Sequence, residues 1–339
     1  MSAARVLVVG AMAAAAAIAL QERRSLAVRR RISWAPGGGT FHDGVLHARV
    51  LGEGPAAVML LHGLGGSNAY WGSAYDSLAT AGRLVVPDLL GFGASPRPDV
   101  GYSTDDHVTA LTELLEDVGV TGQIVVGAHS LGTLLAVALA ERHPDLVAGV
   151  VAFCPPLYAD ETSARERVAS LGWMEAQLVR DGPWAKALCE WVCDHREAAA
   201  RFASLVRPGL PARIRQDGVQ HNWESYSQTF RHVLAAADGS RGLASLHIPV
   251  ELVAGSDDPI VDLAHLRRLA ADLAHVSLAV RDGADHDLPL TDPAGAVAAV
   301  ETMRRRVLGS VTRDSYADAP SRRAQAASHV RQVSAQILQ

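Results

Sequence analysis

The chain has 339 residues, a formal net charge of −5 at pH 7, 49% hydrophobic residues and 20% charged residues. This composition is that of a folded globular protein, and it excludes collagen, coiled coil or disorder as a description of the whole chain. The negative net charge, with arginine clusters only near the two ends, argues against a nucleic-acid partner. The length allows one large α/β domain with an insertion, or two small domains.

The first 35 residues form an apolar and basic extension. Residues 6–20 are uncharged and rich in alanine, and five arginines lie within the next eleven residues. As a helix this run would be about 22 Å long, against about 30 Å of membrane hydrocarbon. An export signal, a helix weakly associated with a membrane, and a soluble helical extension all stay open. Because the arginines oppose export of the chain behind them, we expect a cytoplasmic protein, with membrane association as the alternative and export the least favoured.

The other end, residues 309–339, is polar and rich in small side chains. Val330, Val333 and Ile337 recur at spacings of three and four, which is typical of a short amphipathic helix. A mobile tail is the alternative.

Between residues 45 and 305 short apolar runs alternate with helical patterns, which predicts βαβ units and a parallel sheet. Several of the runs are continuously Val, Leu and Ile, as expected for strands covered on both faces. The predicted strands are Val45–Leu51, Ala57–His62, Leu84–Pro87, Gln123–Ala128, Val147–Phe153, Val250–Ala254 and Val276–Val280.

Three helices are predicted between these strands. The first, Thr104–Val118, is preceded by the capping-box pattern Ser103-x-x-Asp106, in which each side chain accepts a hydrogen bond from the other residue's backbone. The others are Leu131–Arg142 and Leu263–Leu273. The sequence therefore predicts an α/β fold with a doubly wound, mostly parallel sheet.

The alternation stops at Pro155-Pro156 and resumes at Ile248-Pro249. A structureless loop of that length is improbable, so we predict a helical insertion over residues 155–245. The core then consists of residues 36–154 and 246–308. Four of the six tryptophans lie in the insertion and either wall an apolar substrate pocket or form the insertion's own small core: Trp173, Trp184, Trp191 and Trp223.

The strongest chemical signal is the run Gly127-Ala128-His129-Ser130-Leu131-Gly132, between a predicted strand and a predicted helix. A nucleophilic serine on such a sharp turn needs small residues two positions before and after it. Ala128 and Gly132 meet that need, although the usual pattern has glycine at the first of the two. The helix that starts after Ser130 directs free N–H groups and its positive dipole end at the serine oxygen.

A serine hydroxyl needs a base, and the base needs a carboxylate to orient it. Asp257 and Asp258 both come after the strand Val250–Ala254, in the loop where α/β sites are built, and we choose Asp258 as the acid. Asp257 is then a cap or turn residue. His286 comes after the last predicted strand and is the candidate base.

A glycine-rich turn, His62-Gly63-Leu64-Gly65-Gly66, closes the strand Ala57–His62. Such a turn lets backbone N–H groups face a ligand without a side chain between them. We expect the backbone N–H groups of Leu64 and Leu131 to form an oxyanion hole. By itself the turn would be an ordinary strand–loop connection.

Together with Asp88-Leu89-Leu90-Gly91-Phe92-Gly93-Ala94-Ser95, these motifs resemble the α/β-hydrolase superfamily over roughly residues 40–305. The arrangement is similar to the branch that holds carboxylesterases, lactonases, perhydrolases and carbon–carbon bond hydrolases, with a helical cap after the sixth strand. The resemblance implies that Asp88 shapes a loop beside the pocket and that His129 is not itself catalytic. Serine at the elbow disfavours haloalkane dehalogenase and epoxide hydrolase chemistry, for which the superfamily uses aspartate.

The leading hypothesis is a serine hydrolase that cleaves a small-molecule carboxylic ester through an acyl-enzyme. The same residues also serve acyl transfer, perhydrolysis, lactone opening or carbon–carbon cleavage, and a non-catalytic ligand-binding protein is a further alternative. No metal or organic cofactor is expected, since zinc-protease, P-loop and dinucleotide motifs do not occur in the sequence. Cys154, Cys189 and Cys193 are odd in number and fit no zinc spacing, so we interpret them as reduced core cysteines.

Overall fold

The computed structural model describes residues 33–171, 183–206, 209–236 and 239–309. The predictions for residues 6–20, for Trp173 and for the last thirty residues lie outside these ranges. Within them, no helix combines the length and the apolar character needed to cross a membrane.

The core is one eight-stranded sheet in the order β1-β2-β4-β3-β5-β6-β7-β8. The two pairs at the β1 edge are antiparallel, and all pairs from β4 to β8 are parallel. This confirms the predicted fold class. The strands are β1 (Thr40–Asp43), β2 (His47–Leu51), β3 (Ala57–Leu61), β4 (Arg83–Pro87), β5 (Ile124–His129), β6 (Val147–Phe153), β7 (Val250–Gly255) and β8 (Val276–Arg281).

The beginning of the sheet differs from the prediction of one strand over Val45–Leu51. The structure has a hairpin in which β1 pairs with β2, and Thr40 lies opposite Val50. The sequence of β1 is TFHD, most of it exposed. An edge strand of this kind has no apolar run to mark it, and its backbone pairing with β2 alone defines it.

Every residue of β3, β5 and β6 is buried, as predicted for strands covered by helices on both faces. The capping box before α1 is present, with the Ser103 hydroxyl accepting the Asp106 N–H and the Asp106 carboxylate accepting the Ser103 N–H. The helices are α1 (Thr104–Asp117), α2 (Leu131–Arg142), α3 (Glu161–Leu171), α4 (Pro183–Asp194), α5 (Arg196–Val206), α6 (Ala212–Asp217), α7 (Trp223–Thr229), α8 (Gly239–Ser245), α9 (Leu263–Asp272), α10 (Leu288–Thr291) and α11 (Pro293–Leu308).

Helices α3 to α8 and a π-helical turn, Phe230–Leu234, lie between β6 and β7 in the described residues. Hydrogen bonds join this helical insertion to the core. The Ser67 hydroxyl donates to the Asp217 carboxylate at 2.7 Å, and a ring nitrogen of His107 lies 3.1 Å from the Thr229 hydroxyl. The insertion therefore contacts the segment after β3 and the helix α1.

Candidate active site

Ser130 occupies the turn between β5 and α2 with φ 52° and ψ −124°, a conformation that L-residues rarely adopt. Holding a non-glycine residue there costs about 1–3 kcal/mol, and the surrounding structure must enforce it. A Cβ added at Gly132 would lie 2.6 Å from the carbonyl oxygen of His62, so this position has no room for a larger residue. The turn thus projects the Ser130 side chain from the carboxyl edge of the sheet.

The structure brings Ser130, His286 and Asp258 together from three loops. The Ser130 Oγ lies 3.0 Å from His286 Nε2, and His286 Nδ1 lies 2.8 Å from Asp258 Oδ2. Because a carboxylate only accepts, Nδ1 carries the imidazole hydrogen and Nε2 has the lone pair that accepts the serine O–H. The three groups therefore form a continuous chain of hydrogen bonds.

Asp258, not Asp257, contacts the histidine. The Asp258 side chain is fully buried, and its second oxygen accepts the Ile260 N–H at 2.8 Å. Burial alone raises the pKa of the Asp258 carboxyl, but the hydrogen bond and charge of His286 and the Ile260 N–H outweigh it and lower the pKa. The carboxyl is thus ionised at neutral pH. The Asp257 carboxylate accepts instead from the exposed Ser256 hydroxyl at 3.1 Å.

The glycine-rich turn after β3 approaches the serine closely. A Cβ added at Gly63 would lie 3.1 Å from the Ser130 Cβ, so glycine allows this contact. His62 Nε2 accepts the Leu89 N–H at 2.9 Å, and its Nδ1–H therefore donates to the Gly63 carbonyl at 2.7 Å. These bonds define the path of the turn into Leu64.

The backbone N–H groups of Leu64 and Leu131 donate to no acceptor within the described ranges. The Leu131 N–H belongs to the first residue of α2, where helices leave donors unsatisfied. Leu131 directly follows Ser130, and Leu64 directly follows Gly63, the residue that approaches the Ser130 Cβ.

Asp88 organises the neighbouring loop. One carboxylate oxygen accepts the backbone and side-chain N–H groups of Asn68, at 2.5 and 2.8 Å, and the other accepts the Ala94 N–H at 2.7 Å. A Cβ on Gly93, at φ 54°, would lie only 2.2 Å from this carboxylate. Asp88 thus joins the segment after β4 to the turn that carries Leu64.

The structure shows contacts of His129 that the sequence did not predict. Its Nε2–H donates to the backbone carbonyl of His286 at 2.8 Å, and its ring stacks on Tyr70 with centroids 4.6 Å apart. Burial, followed by the proximity of His286, lowers the pKa of His129 to about 3, so the ring is neutral. Its position directly before Ser130 was the only sequence signal available.

Cys154 comes directly after β6 at φ 50° and is a free, buried thiol. It contacts the Asp258 carboxyl, and burial and that charge raise its pKa well above the usual value. Ligand atoms of Cys154, His129 and His286 lie within 4.8 Å of one another. Both ring nitrogens of His286 are already engaged by Ser130 and Asp258, so this group makes a poor metal site.

The tryptophans of the insertion are dispersed. Trp184 lies in α4, but its side chain is outside the described part of the structure, as is all of Trp173. Trp191 is 44% exposed and stacks on His195, with centroids 5.0 Å apart, while Trp223 is half-buried at the start of α7. The described residues form a cavity of about 750 Å³ beside Gly93 and Ala94, and neither Trp191 nor Trp223 lines it. Their part in a substrate pocket stays a prediction.

A family model described as alpha/beta hydrolase fold matches residues 56–293, more than two thirds of the chain. A 2-(acetamidomethylene)succinate hydrolase of Mesorhizobium japonicum is 27% identical over 265 residues, which cover 75% of this chain and 90% of that protein. The crystal structure of E-2-(acetamidomethylene)succinate hydrolase matches with a TM-score of 0.63 and 22% identity, over 78% of this chain and 99% of that one. An esterase from Thermogutta terrifontis matches with a TM-score of 0.59 and 23% identity, over 77% and 94% of the two chains. The protein described here belongs to the alpha/beta hydrolase fold family.

Proposed function

We propose that this protein is a serine hydrolase that cleaves a carboxylic ester through an acyl-enzyme on Ser130. The observation that carries the proposal is the hydrogen-bonded chain from Ser130 Oγ through His286 to Asp258, with separations of 3.0 and 2.8 Å. Nucleophile, base and orienting carboxylate in such contact form the arrangement that activates a serine hydroxyl.

Acylation begins when Ser130 Oγ attacks the carbonyl carbon and His286 Nε2 takes the hydroxyl proton. The imidazolium that forms is stabilised by the ionised Asp258 carboxylate on Nδ1. When the tetrahedral intermediate collapses, Nε2 returns the proton to the leaving alkoxide and the alcohol departs. Water then attacks the acyl-enzyme with His286 again as base, which releases the carboxylic acid and restores Ser130.

The negative charge of the tetrahedral intermediate falls on the former carbonyl oxygen. The N–H groups of Leu64 and Leu131 are the donors proposed to receive it. Leu131 follows Ser130, Leu64 follows the closely approaching Gly63, and neither N–H has another acceptor in the described structure. One such donor typically contributes about 100- to 1,000-fold to the rate.

The helical insertion is proposed to cap the site. A Cβ added at Gly65 would lie 3.6 Å from the Gly218 carbonyl and 3.7 Å from the ring of Tyr226. The Ser67–Asp217 hydrogen bond lies in the same region. Residues of the insertion therefore contact the turn that carries Leu64, which supports a role in shaping the acyl pocket.

A second candidate keeps the same residues but uses another acyl compound. The names of a sequence relative and of a structural neighbour, both 2-(acetamidomethylene)succinate hydrolases, favour an amide substrate whose nitrogen is the leaving group. Acyl transfer, perhydrolysis, lactone opening and carbon–carbon cleavage differ only in acceptor or leaving group. A substrate panel therefore distinguishes these reactions.

The test combines labelling with turnover. A fluorophosphonate should label the full chain on the peptide that contains Ser130, and Ser130→Ala should abolish both labelling and the hydrolysis of nitrophenyl esters. Ser170→Ala, an exposed serine in α3, is the matched control and should keep both. Undiminished turnover by Ser130→Ala would remove the proposal, and binding of esters without product would favour a ligand-binding protein. A panel of esters, lactones, diketones and acetamidomethylenesuccinate, with water, alcohol and peroxide as acceptors, then ranks the reactions.

A further inference from the structure

Three potential metal ligands meet in the helical insertion, away from the residues of the proposed reaction. Cys189 and Cys193 are one turn apart on α4 and therefore share a face of that helix. His221 comes from the segment before α7. The ligand atoms of all three, two thiol sulfurs and an imidazole nitrogen, lie within 4.8 Å of one another.

His221 provides an independent sign of a missing partner. Its side chain is only 7% exposed, and its Nδ1 atom is buried with no hydrogen-bond partner in the described structure. A buried polar atom without a partner has lost its hydrogen bonds to water without replacement, so native structures seldom keep one without a reason. The ring also packs on Tyr226, with centroids 4.8 Å apart, which holds it in position beside the thiols.

The surrounding residues hold the two ligand-bearing segments together. The Arg196 guanidinium donates to the carbonyl of Cys193 at 3.1 Å and to the carbonyl of His221 at 3.4 Å. It also donates to the side chain of Gln220. The Cys193 thiol itself donates to the His221 carbonyl at 3.2 Å. Outer contacts of this kind orient ligands in metal sites.

We propose that Cys189, Cys193 and His221 bind one thiophilic metal ion, zinc(II) or copper(I). Two thiolates with one imidazole are the ligands that these ions prefer over the hard cations magnesium and calcium. Binding replaces the two thiol protons by two metal–sulfur bonds and releases both protons to solvent. Three ligands suit copper(I) directly, whereas zinc(II) completes its tetrahedron with a water molecule.

Charge is compatible with either ion. Two thiolates and zinc(II) are neutral together, and two thiolates with copper(I) carry one negative charge. The guanidinium groups of Arg97 and Arg196, both close enough to influence Cys193, compensate the anionic copper complex. Sequence spacing did not predict this site, because His221 lies 28 residues from Cys193 and only folding brings them together.

The ion would join α4 to the segment before α7, which contacts the loop after β4. Arg97, in the loop after β4, donates to the Gln220 carbonyl at 2.8 Å, and His221 lies near the ring of Phe92 with centroids 6.4 Å apart. A bound ion therefore stabilises the packing of α4 on the segment before α7. The site stands without the proposed hydrolase activity, and its test does not use that activity.

The experiment uses the full chain without a histidine tag, reduced and stripped with a chelator. Zinc(II) is added to one sample, copper(I) under anaerobic reducing conditions to another, and cobalt(II) to a third as a spectroscopic probe. Native mass spectrometry and elemental analysis measure the bound metal after buffer exchange. We expect one tightly bound ion per chain, a raised melting temperature, and a thiolate-to-cobalt charge-transfer band. The metal retained at equal concentrations distinguishes zinc from copper.

Variants locate the ion. The double variant Cys189→Ser with Cys193→Ser should lose the bound metal and the cobalt band, and His221→Gln should weaken binding at least tenfold. Cys154→Ser is the matched thiol control, because it removes the remaining cysteine and should bind like the original chain. Circular dichroism of the metal-free variants checks that each is folded. No metal retained by the original chain, or a loss confined to Cys154→Ser, would overturn the site.

Discussion

Replacing the buried carboxylate of Asp258 by an amide tests the proposed reaction at one atom. In Asp258→Asn the side-chain oxygen stays opposite the Ile260 N–H, because the amide nitrogen would there face another donor. The amide nitrogen then points at His286 Nδ1, 2.8 Å away, and can only donate to it. The imidazole hydrogen is forced onto Nε2, which can no longer accept the proton of Ser130.

The shape of the site is preserved, but the His286 imidazole has the wrong tautomer. The value of kcat should therefore fall, and KM should stay nearly unchanged. A change of this kind in a serine protease costs about 10⁴-fold in kcat, which corresponds to about 5 kcal/mol of activation free energy. Steady-state kinetics on a nitrophenyl ester and the rate of fluorophosphonate labelling should fall together.

Asp257→Asn is the matched control, since that neighbouring carboxylate accepts from Ser256 at the surface. It should retain kcat within about twofold of the original chain. Thermal melts should show that both variants are folded. An Asp258→Asn protein with more than a tenth of the original kcat, or an equal loss in Asp257→Asn, would refute the assignment of Asp258.

Other contacts support three more predictions. His129→Phe keeps a ring stacked on Tyr70 but loses the N–H that holds the His286 backbone, so kcat should fall about tenfold at constant KM. An unchanged kcat would show that this hydrogen bond does not position His286. Gly132→Ala places a Cβ 2.6 Å from the His62 carbonyl oxygen, so the free energy of unfolding measured by urea titration should fall by about 1–3 kcal/mol. An unchanged free energy of unfolding would mean that the turn has room for a methyl group. Burial lowers the pKa of His107 to about 4 and that of His129 to about 3, against 6.5 for the free side chain, so the unfolded chain binds more protons below about pH 6. The free energy of unfolding should then rise with pH between about 4 and 6, by about 1.4 kcal/mol per pH unit for each histidine, and His107→Gln with His129→Phe should reduce this slope in urea titrations at pH 5 and 6.5. Part of the slope should remain, because burial also lowers the pKa of His221 to about 4.

Much of the core was predictable because its signals are local. Continuous apolar runs marked β3, β5 and β6, and the Ser103 capping pattern placed the start of α1 at its observed residue. Ser130 stood out for the same reason: a strand, a sharp turn with small neighbours and a helix are all written within a few consecutive residues. The order of the remaining candidate residues along the chain, each after a strand, then placed them at one edge of a parallel sheet.

Other features could be assigned only from the tertiary structure, because they depend on which residues meet after folding. Asp257 and Asp258 have the same chemistry, and only the path of the loop after β7 decides which carboxylate is buried against His286. Strand β1 exists because β2 offers it a backbone partner, not because of its own side chains. The approach of His221 to the thiols of α4 likewise depends on how the insertion packs. Local sequence determines which residues form strands, helices and turns, whereas packing across the whole chain determines which side chains meet.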